Sequence, residues 1–279
     1  MGMGLGRLAG RIARERRRVA LTNLAICLPE LSPQGRAKLA SLHFGYLGVA
    51  ALTQGLVWGA KRQRLARLVR IRHRERFDEP WGQGRNIILM VPHFIGLELG
   101  GAAFTALVHP GMYMYQKIRD PVIDAQMKAS RVRFGALSIE RQDDLRGLVR
   151  EMRKGIPFFY LPDQDAGQRR GIFVPFCGMP AATVPMLGRF AALADALVIP
   201  LYAHYVPWGG GLELIFGLPL GSFPSGDQER DTAYMNTVIE AQIRAMPAQY
   251  FWVHRRFKTR PPGDAPVYPP SRRRARRSG

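Results

Sequence analysis

Short runs of consecutive apolar residues alternate along this chain with longer segments in which apolar positions recur every three or four residues. "NIILMV" (86–91), "MYMY" (112–115), "PFFYL" (157–161), "GIFVPF" (171–176), "LVIPLYA" (197–203) and "LELIFG" (212–217) are of the first kind and predict strands, most of them buried. Segments 32–60, 96–108, 121–134, 143–155 and 228–246 are of the second kind and predict helices. Their ends carry matching punctuation. Ser32-Pro33 opens the first and Pro121 the third, and "DDLRGLVREMRKG" (143–155) has acids at its head, bases at its tail and Gly155 as a stop. Strand and helix in alternation imply an α/β fold, an αβα sandwich with a largely parallel central sheet. No internal repeat or interdomain linker interrupts it. The expected regions of one domain are a basic and apolar helical part (1–76), an α/β core (77–262) and a basic disordered tail (263–279).

Charge changes this picture. The 279 residues carry 41 basic and 21 acidic side chains, a net of +20, and three blocks hold all of the excess. Residues 1–20 have six Arg against one Glu, residues 61–76 eight bases against one acid, and residues 255–279 nine against one; the remainder balances at 18 against 18. A neutral globule with three basic patches implies an acidic partner: nucleic acid, an anionic membrane surface or an acidic protein. In "KRQRLARLVRIRHRER" (61–76) Leu65, Leu68 and Val69 recur at helical spacing between the charges, which predicts a basic amphipathic helix suited to anionic lipid. The preceding "YLGVAALTQGLVWGA" (46–60) is apolar but shorter than the roughly 20 residues a span requires.

Several chemistries are excluded early. There is no G-x-S-x-G elbow and no P-loop, and "GLGRLA" (4–9) lacks the preceding strand a dinucleotide fingerprint needs. Cys27 and Cys177 stand far apart without metal-ligand spacing, so neither a disulfide nor a metal site is expected, and a reducing compartment fits. No cofactor is called for. A nucleic-acid binder would explain the basic patches, but no stacking platform, helix-turn-helix or zinc pattern accompanies them.

The chemistry concentrates in "MVPHFIGLELG" (90–100), which places His93 and Glu98 in an otherwise oily stretch. Burying an unpaired ionisable group costs several kcal/mol. If "NIILMV" is a strand, His93 sits at its carboxyl end, where α/β proteins place their reactive groups, and Glu98 falls in the first turn of the next helix. From there a carboxylate can reach back to the imidazole, hold one tautomer and stabilise its protonated form, as a general base requires. A bare H-x4-E recurs by chance, so the spacing needs company.

That company is present. "HFIGLE" resembles the H-x4-D/E motif of glycerolipid and lipid A acyltransferases, and three further stretches resemble the lipid A late acyltransferases: "RRRVALTNLAICLPELS" (16–32), "YLPDQDAGQRRGIFVPF" (160–176) and "QYFWVHRRFKTRP" (249–261). The resemblance runs from about residue 10 to residue 262. It implies an acyltransferase-like fold and a Gram-negative enzyme. The enzyme would move an acyl chain, lauroyl or myristoyl, from acyl carrier protein to a hydroxyl of a Kdo-bearing lipid A precursor at the cytoplasmic face of the inner membrane. It also implies His93 as base and Glu98 as its orienting partner. Arg131, Arg133, Arg169 and Arg170 become candidates for the oxyanion and the acceptor's phosphates, with Asp163 and Asp165 anchoring those arginines or sugar hydroxyls. The family usually opens with an N-terminal membrane helix. Here only about ten residues precede the Arg-rich run, so attachment is expected through residues 46–76 and the basic ends. The sequence does not single out the floor of the acyl groove; bulky residues of the helix after His93, such as Phe104 and Leu107, lie on the scaffold that would hold it. The alternative acceptor is a glycerolipid or another lipid hydroxyl.

Overall fold

A computed structural model describes residues 1–115, 117–140 and 145–269. Its helices are α1 (Gly2–Ile12), α2 (Arg14–Cys27), α3 (Pro33–Gly59), α4 (Arg62–Leu68), α5 (Glu75–Gly82), α6 (Leu97–Leu107), α7 (Pro121–Val132), α8 (Leu145–Arg153), α9 (Leu187–Ala194) and α10 (Gln228–Ala245). Its strands are β1 (Val69–Arg72), β2 (Asn86–Met90), β3 (Met112–Tyr115), β4 (Leu137–Glu140), β5 (Phe158–Tyr160), β6 (Ile172–Phe176), β7 (Met179–Thr183), β8 (Ala196–Tyr205) and β9 (Leu212–Phe216). Residues 143–144, the expected start of the helix before Gly155, lie outside the described residues, as do 270–279 of the basic tail. The chain forms two compact units that interleave in sequence. One comprises 1–49, 163–185 and 232–279, the other 50–162 and 186–231.

The second unit is built on a sheet of order β1-β9-β8-β2-β5-β3-β4. All neighbours pair in parallel except β8 and β9. Only residues 206–211 join those two, a length that suits a hairpin and not a crossover. β2 lies in the interior of the sheet, and Ile87, Ile88, Leu89 and Met90 are at most 1% exposed. A strand covered on both faces reads as a solid apolar run, which is why this one is legible.

The basic block 61–76 is not the single amphipathic helix expected from its spacing. α4 ends at Leu68, and Val69 and Ile71 alternate with Arg70 and Arg72 as β1, in register with Leu212 to Ile215. β-branched residues at every second position favour the pleat over the helix. Arg72 fixes the register further by donating to Glu213 at 2.9 and 3.0 Å. β4 and β7 had no predicted counterpart, because four or five residues of mixed polarity carry little periodic signal.

The first unit holds α1, α2, the β6–β7 hairpin and the carboxyl-terminal segment, around Leu24, Phe176, Trp252 and Phe257. Here the cysteine expectation is corrected. Cys27 and Cys177 form a disulfide, their Cα atoms 4.8 Å apart across 150 residues of sequence. Separation along the chain says nothing of proximity once the end of α2 meets the turn between β6 and β7, so the cysteines give no argument for a reducing compartment. Cys177 and Gly178 form that turn with φ of 51° and 73°, the backbone of a type I′ hairpin. The Cys177 amide is held by Glu240 Oε1 at 2.8 Å.

Candidate active site

β2 delivers the chain to the site. Its ladder with β5 continues one step past the strand, where the Val91 amide donates to the Tyr160 carbonyl at 2.8 Å. A tight turn follows, with the Phe94 amide bonded to the Pro92 carbonyl at 2.7 Å. His93 is half-buried at this turn, and α6 begins at Leu97, one residue later than expected. Glu98 remains in the first helical turn, where the helix dipole favours a carboxylate. Glycines hold α6 against β8. A Cβ on Gly96 would sit 2.6 Å from the Ala203 carbonyl oxygen, and one on Gly100 would overlap the Ala203 side chain.

Glu98 does not stand alone. From α7, Arg131 donates through Nη2 to Oε1 at 2.5 Å and through Nε to Oε2 at 3.3 Å, a two-point pairing of guanidinium and carboxylate. The same guanidinium lies 5.2 Å from the Tyr113 ring centre. Burial opposes its charge, and the Glu98 carboxylate more than compensates, raising the Arg131 pKa. Burial pushes the Tyr113 phenol up. Both keep their ordinary protonation at neutral pH.

The pair faces two grooves of the second unit, and Glu98 and Val57 line both. The narrower, of about 100 Å³, runs from Glu98 and Arg131 along Gly101, Ala102 and Thr105 to Tyr113 and Phe159. The wider, of about 460 Å³, lies along α3 at Ala51, Gln54 and Trp58 and reaches Ile95 and Tyr205. Phe104, a candidate for the floor, is instead fully buried against Phe77, Phe159 and Phe216 with ring centres 5.0–6.1 Å away. Neither Phe104 nor Leu107 lines the narrow groove. The small residues of "ELGGAAFT" were the signal missed: glycine and alanine on one helical face leave space for something else.

The remaining candidates fall elsewhere. Arg133 stacks on Phe134 with 4.2 Å to the ring centre and donates to the Leu56 carbonyl at 3.4 Å, and it lines neither groove. In the first unit Asp163 is 1% exposed and hydrogen-bonded with Tyr250, whose phenol is pushed well up by burial and by this carboxylate. Arg256, 2% exposed, is coupled to Asp163 and donates to the Ala182 carbonyl and to Thr183 Oγ1. Asp165 accepts from the Thr259 amide and hydroxyl at 3.1 and 3.0 Å. The arginine that Asp163 neighbours is therefore Arg256, which composition did not single out. Arg169 and Arg170 are exposed in a turn. Among the described residues no cluster of His, Cys, Asp or Glu has the makings of a metal site, and no helix is long and apolar enough to cross a membrane.

A histidine just past the carboxyl end of an interior parallel strand and, five residues on, a carboxylate lining two grooves thus lie together on a mixed α/β fold with a mostly parallel sheet. A family model described as bacterial lipid A biosynthesis acyltransferase matches residues 1–259, and the chain belongs to that family. It is 36% identical to the lipid A biosynthesis lauroyltransferase of Escherichia coli over 94% of this chain and 86% of that protein. It is 29% identical to the palmitoleoyltransferase of the same organism, covering 96% and 87%, and 28% identical to its myristoyltransferase, covering 95% and 82%. Among solved structures it is similar to the 1-acyl-sn-glycerophosphate acyltransferase of Thermotoga maritima, with 13% identity, a TM-score of 0.42 and coverage of 83% of this chain and 96% of that one.

Proposed function

We propose that this acyltransferase of lipid A biosynthesis takes a saturated acyl chain from acyl carrier protein and transfers it to a hydroxyl of a Kdo-bearing lipid A precursor at the anionic inner-membrane surface. The observation that supports the reading is Glu98, paired with Arg131, facing two apolar grooves five residues beyond the half-buried His93. A reaction between two lipid-bearing substrates needs two apolar sites that meet at the reacting groups.

The proposed chemistry is direct transfer. The His93 imidazole accepts the proton of the acceptor hydroxyl as its oxygen bonds to the thioester carbonyl carbon. The carbon–sulfur bond then breaks, and the carrier's thiol leaves with that proton. Glu98 holds the imidazole, and Arg131 holds the Glu98 carboxylate by two-point pairing. No acyl-enzyme and no cofactor takes part.

Chain length follows from where the groove that takes the acyl chain ends. Each buried methylene contributes about 0.8 kcal/mol, and exclusion of one methylene by a wall discriminates roughly 10–200-fold. A chain of about 12 to 14 carbons is expected from the 36% identity to a lauroyltransferase, while the more distant matched relatives include both a palmitoleoyltransferase and a myristoyltransferase. The test is a competition between acyl carrier proteins loaded with 10-, 12-, 14- and 16-carbon chains on a Kdo-bearing lipid A precursor. One preferred length is the expected result. A flat profile removes the ruler, and transfer only to a lysoglycerophospholipid moves the acceptor to the glycerolipids.

A further inference from the structure

Three faces of α1 do three different things. Gly2, Gly6 and Gly10 are buried against α3 so closely that a Cβ on Gly6 would overlap the Phe44 carbonyl and one on Gly2 would lie 3.0 Å from Val49. Met1, Leu5, Leu8 and Ile12, at i, i+4, i+7 and i+11, form a row in which Leu5 and Leu8 are 53% exposed and Ile12 75%. Arg7 and Arg11 complete the circumference and are exposed. A helix clamped by glycines while it presents large apolar side chains to water gains nothing from that exposure within its own unit.

The row ends at a cavity. At the elbow where α1 passes into α2, a space of about 530 Å³ is lined by Ile12, Arg14, Arg16, Arg18, Arg255 and Tyr268, with Glu15 as its acid. Two of the four arginines are engaged. Arg255 pairs with Glu15 at 2.9 Å, and Arg16 donates to the Val253 carbonyl at 3.2 Å. Arg14 and Arg18 have no ion-pair partner among the described residues. α2 also starts here without a side-chain cap, so its first amides and its dipole add to the positive field.

We propose that this cavity receives the phosphate headgroup of an anionic phospholipid, with the Met1–Leu5–Leu8–Ile12 row of α1 lying among the acyl chains beside it. Guanidinium groups match phosphate oxygens in two-point geometry, and Ile12 belongs both to the row and to the cavity wall, so phosphate and acyl chain are met side by side. A soluble phosphoester would make no use of the row. The inference deepens the membrane attachment proposed above and is independent of the transfer chemistry.

The experiment is flotation of the full chain with phosphatidylglycerol vesicles and with phosphatidylcholine vesicles at constant ionic strength. A basic side chain near an anionic surface contributes about 1 kcal/mol, so Arg14→Gln with Arg18→Gln should weaken binding to phosphatidylglycerol at least tenfold. The charge-matched pair Arg189→Gln with Arg230→Gln, exposed and outside residues 46–76 and the basic ends, should cost less than about threefold. Leu8→Asp with Ile12→Asp should abolish flotation with either lipid. Acyl transfer in detergent micelles should be unchanged in every variant, which separates failure of the docking from failure of the catalytic reading. Equal losses from the two arginine pairs would overturn the proposal in favour of diffuse attraction. Displacement from vesicles by millimolar inorganic phosphate would overturn the lipid as the ligand.

Discussion

In the sheet-bearing unit the side chains of Glu98 and Arg131 are 34% and 28% exposed and line the same groove. In the other unit Asp163 and Arg256 are 1% and 2% exposed, and Tyr250 is buried with them. Both are carboxylate–guanidinium neighbours in stretches that resemble acyltransferase motifs, yet their physics differs. A pair at a groove can re-form its hydrogen bonds around a substrate at modest cost. A buried pair has already been desolvated, and removing one partner strands a charge in the interior. Resemblance to a motif therefore identifies residues without assigning their work, and burial decides whether an acid is available to a ligand or committed to the fold.

The largest expected effect breaks the comparison on the side of chemistry. His93→Ala should lower the rate of acyl transfer by about 10²–10⁴ with no change in denaturation midpoint, since loss of an oriented base costs that much and the side chain is only half-buried. Glu98→Gln should be nearly as severe. Arg131→Ala should lower the rate and raise KM together, because it removes the guanidinium that holds Glu98. Near-normal turnover by purified His93→Ala protein would remove the mechanism.

Asp163 tests the other unit. Asp163→Asn removes one of the two carboxylates, Asp163 and Asp165, that offset the buried Arg256 charge, and leaves the Tyr250 phenol facing a neutral amide, so stability should fall by about 3 kcal/mol. Transfer per folded molecule, measured in detergent at low temperature, should persist. Full stability with abolished transfer would instead make Asp163 a substrate contact and erase the distinction between the units.

How much of this was legible beforehand depended on whether the deciding interactions were local. β2 and the turn carrying His93 read directly, because a strand in the sheet interior is apolar throughout and its successor helix starts within a few residues. β1 did not: in a block of eight bases the β-branched alternation of Val69 and Ile71 is outweighed by charge, and only the pairing with β9 reveals it. Arg131 stood out only as one guanidinium among several candidates, because its pairing with Glu98 links residues 33 apart in sequence. The Cys27–Cys177 bond and the Asp163–Arg256 coupling span still longer separations. Residue types could be read from the chain, and their partners could not.

The smallest expected effect concerns His43, which sits in the first unit with no exposed surface. Its ring meets the Ala248 carbonyl through Nδ1 at 3.2 Å, and a carbonyl only accepts, so Nδ1 carries a proton. Burial lowers its pKa from 6.5 to about 4, against the opposing pull of the Ala248 hydrogen bond. Between those values the unfolded chain binds a proton that the folded chain refuses. Stability contributed by this group is therefore complete above about pH 6.5 and declines as pH falls towards 4, by about 3 kcal/mol in all. His43→Gln keeps a donor within reach of Ala248 and cannot titrate. The variant should be less stable than the parent at pH 7, through imperfect packing, and the gap should close as the solution is acidified. Denaturant unfolding of both proteins across pH 4.5–7 isolates the effect, since every other titrating group is common to the two. Parallel stability curves would mean that the buried ring reaches water before it is protonated. The first unit would then be looser around α3 than its packing indicates, and the contrast with the groove of the second unit correspondingly weaker.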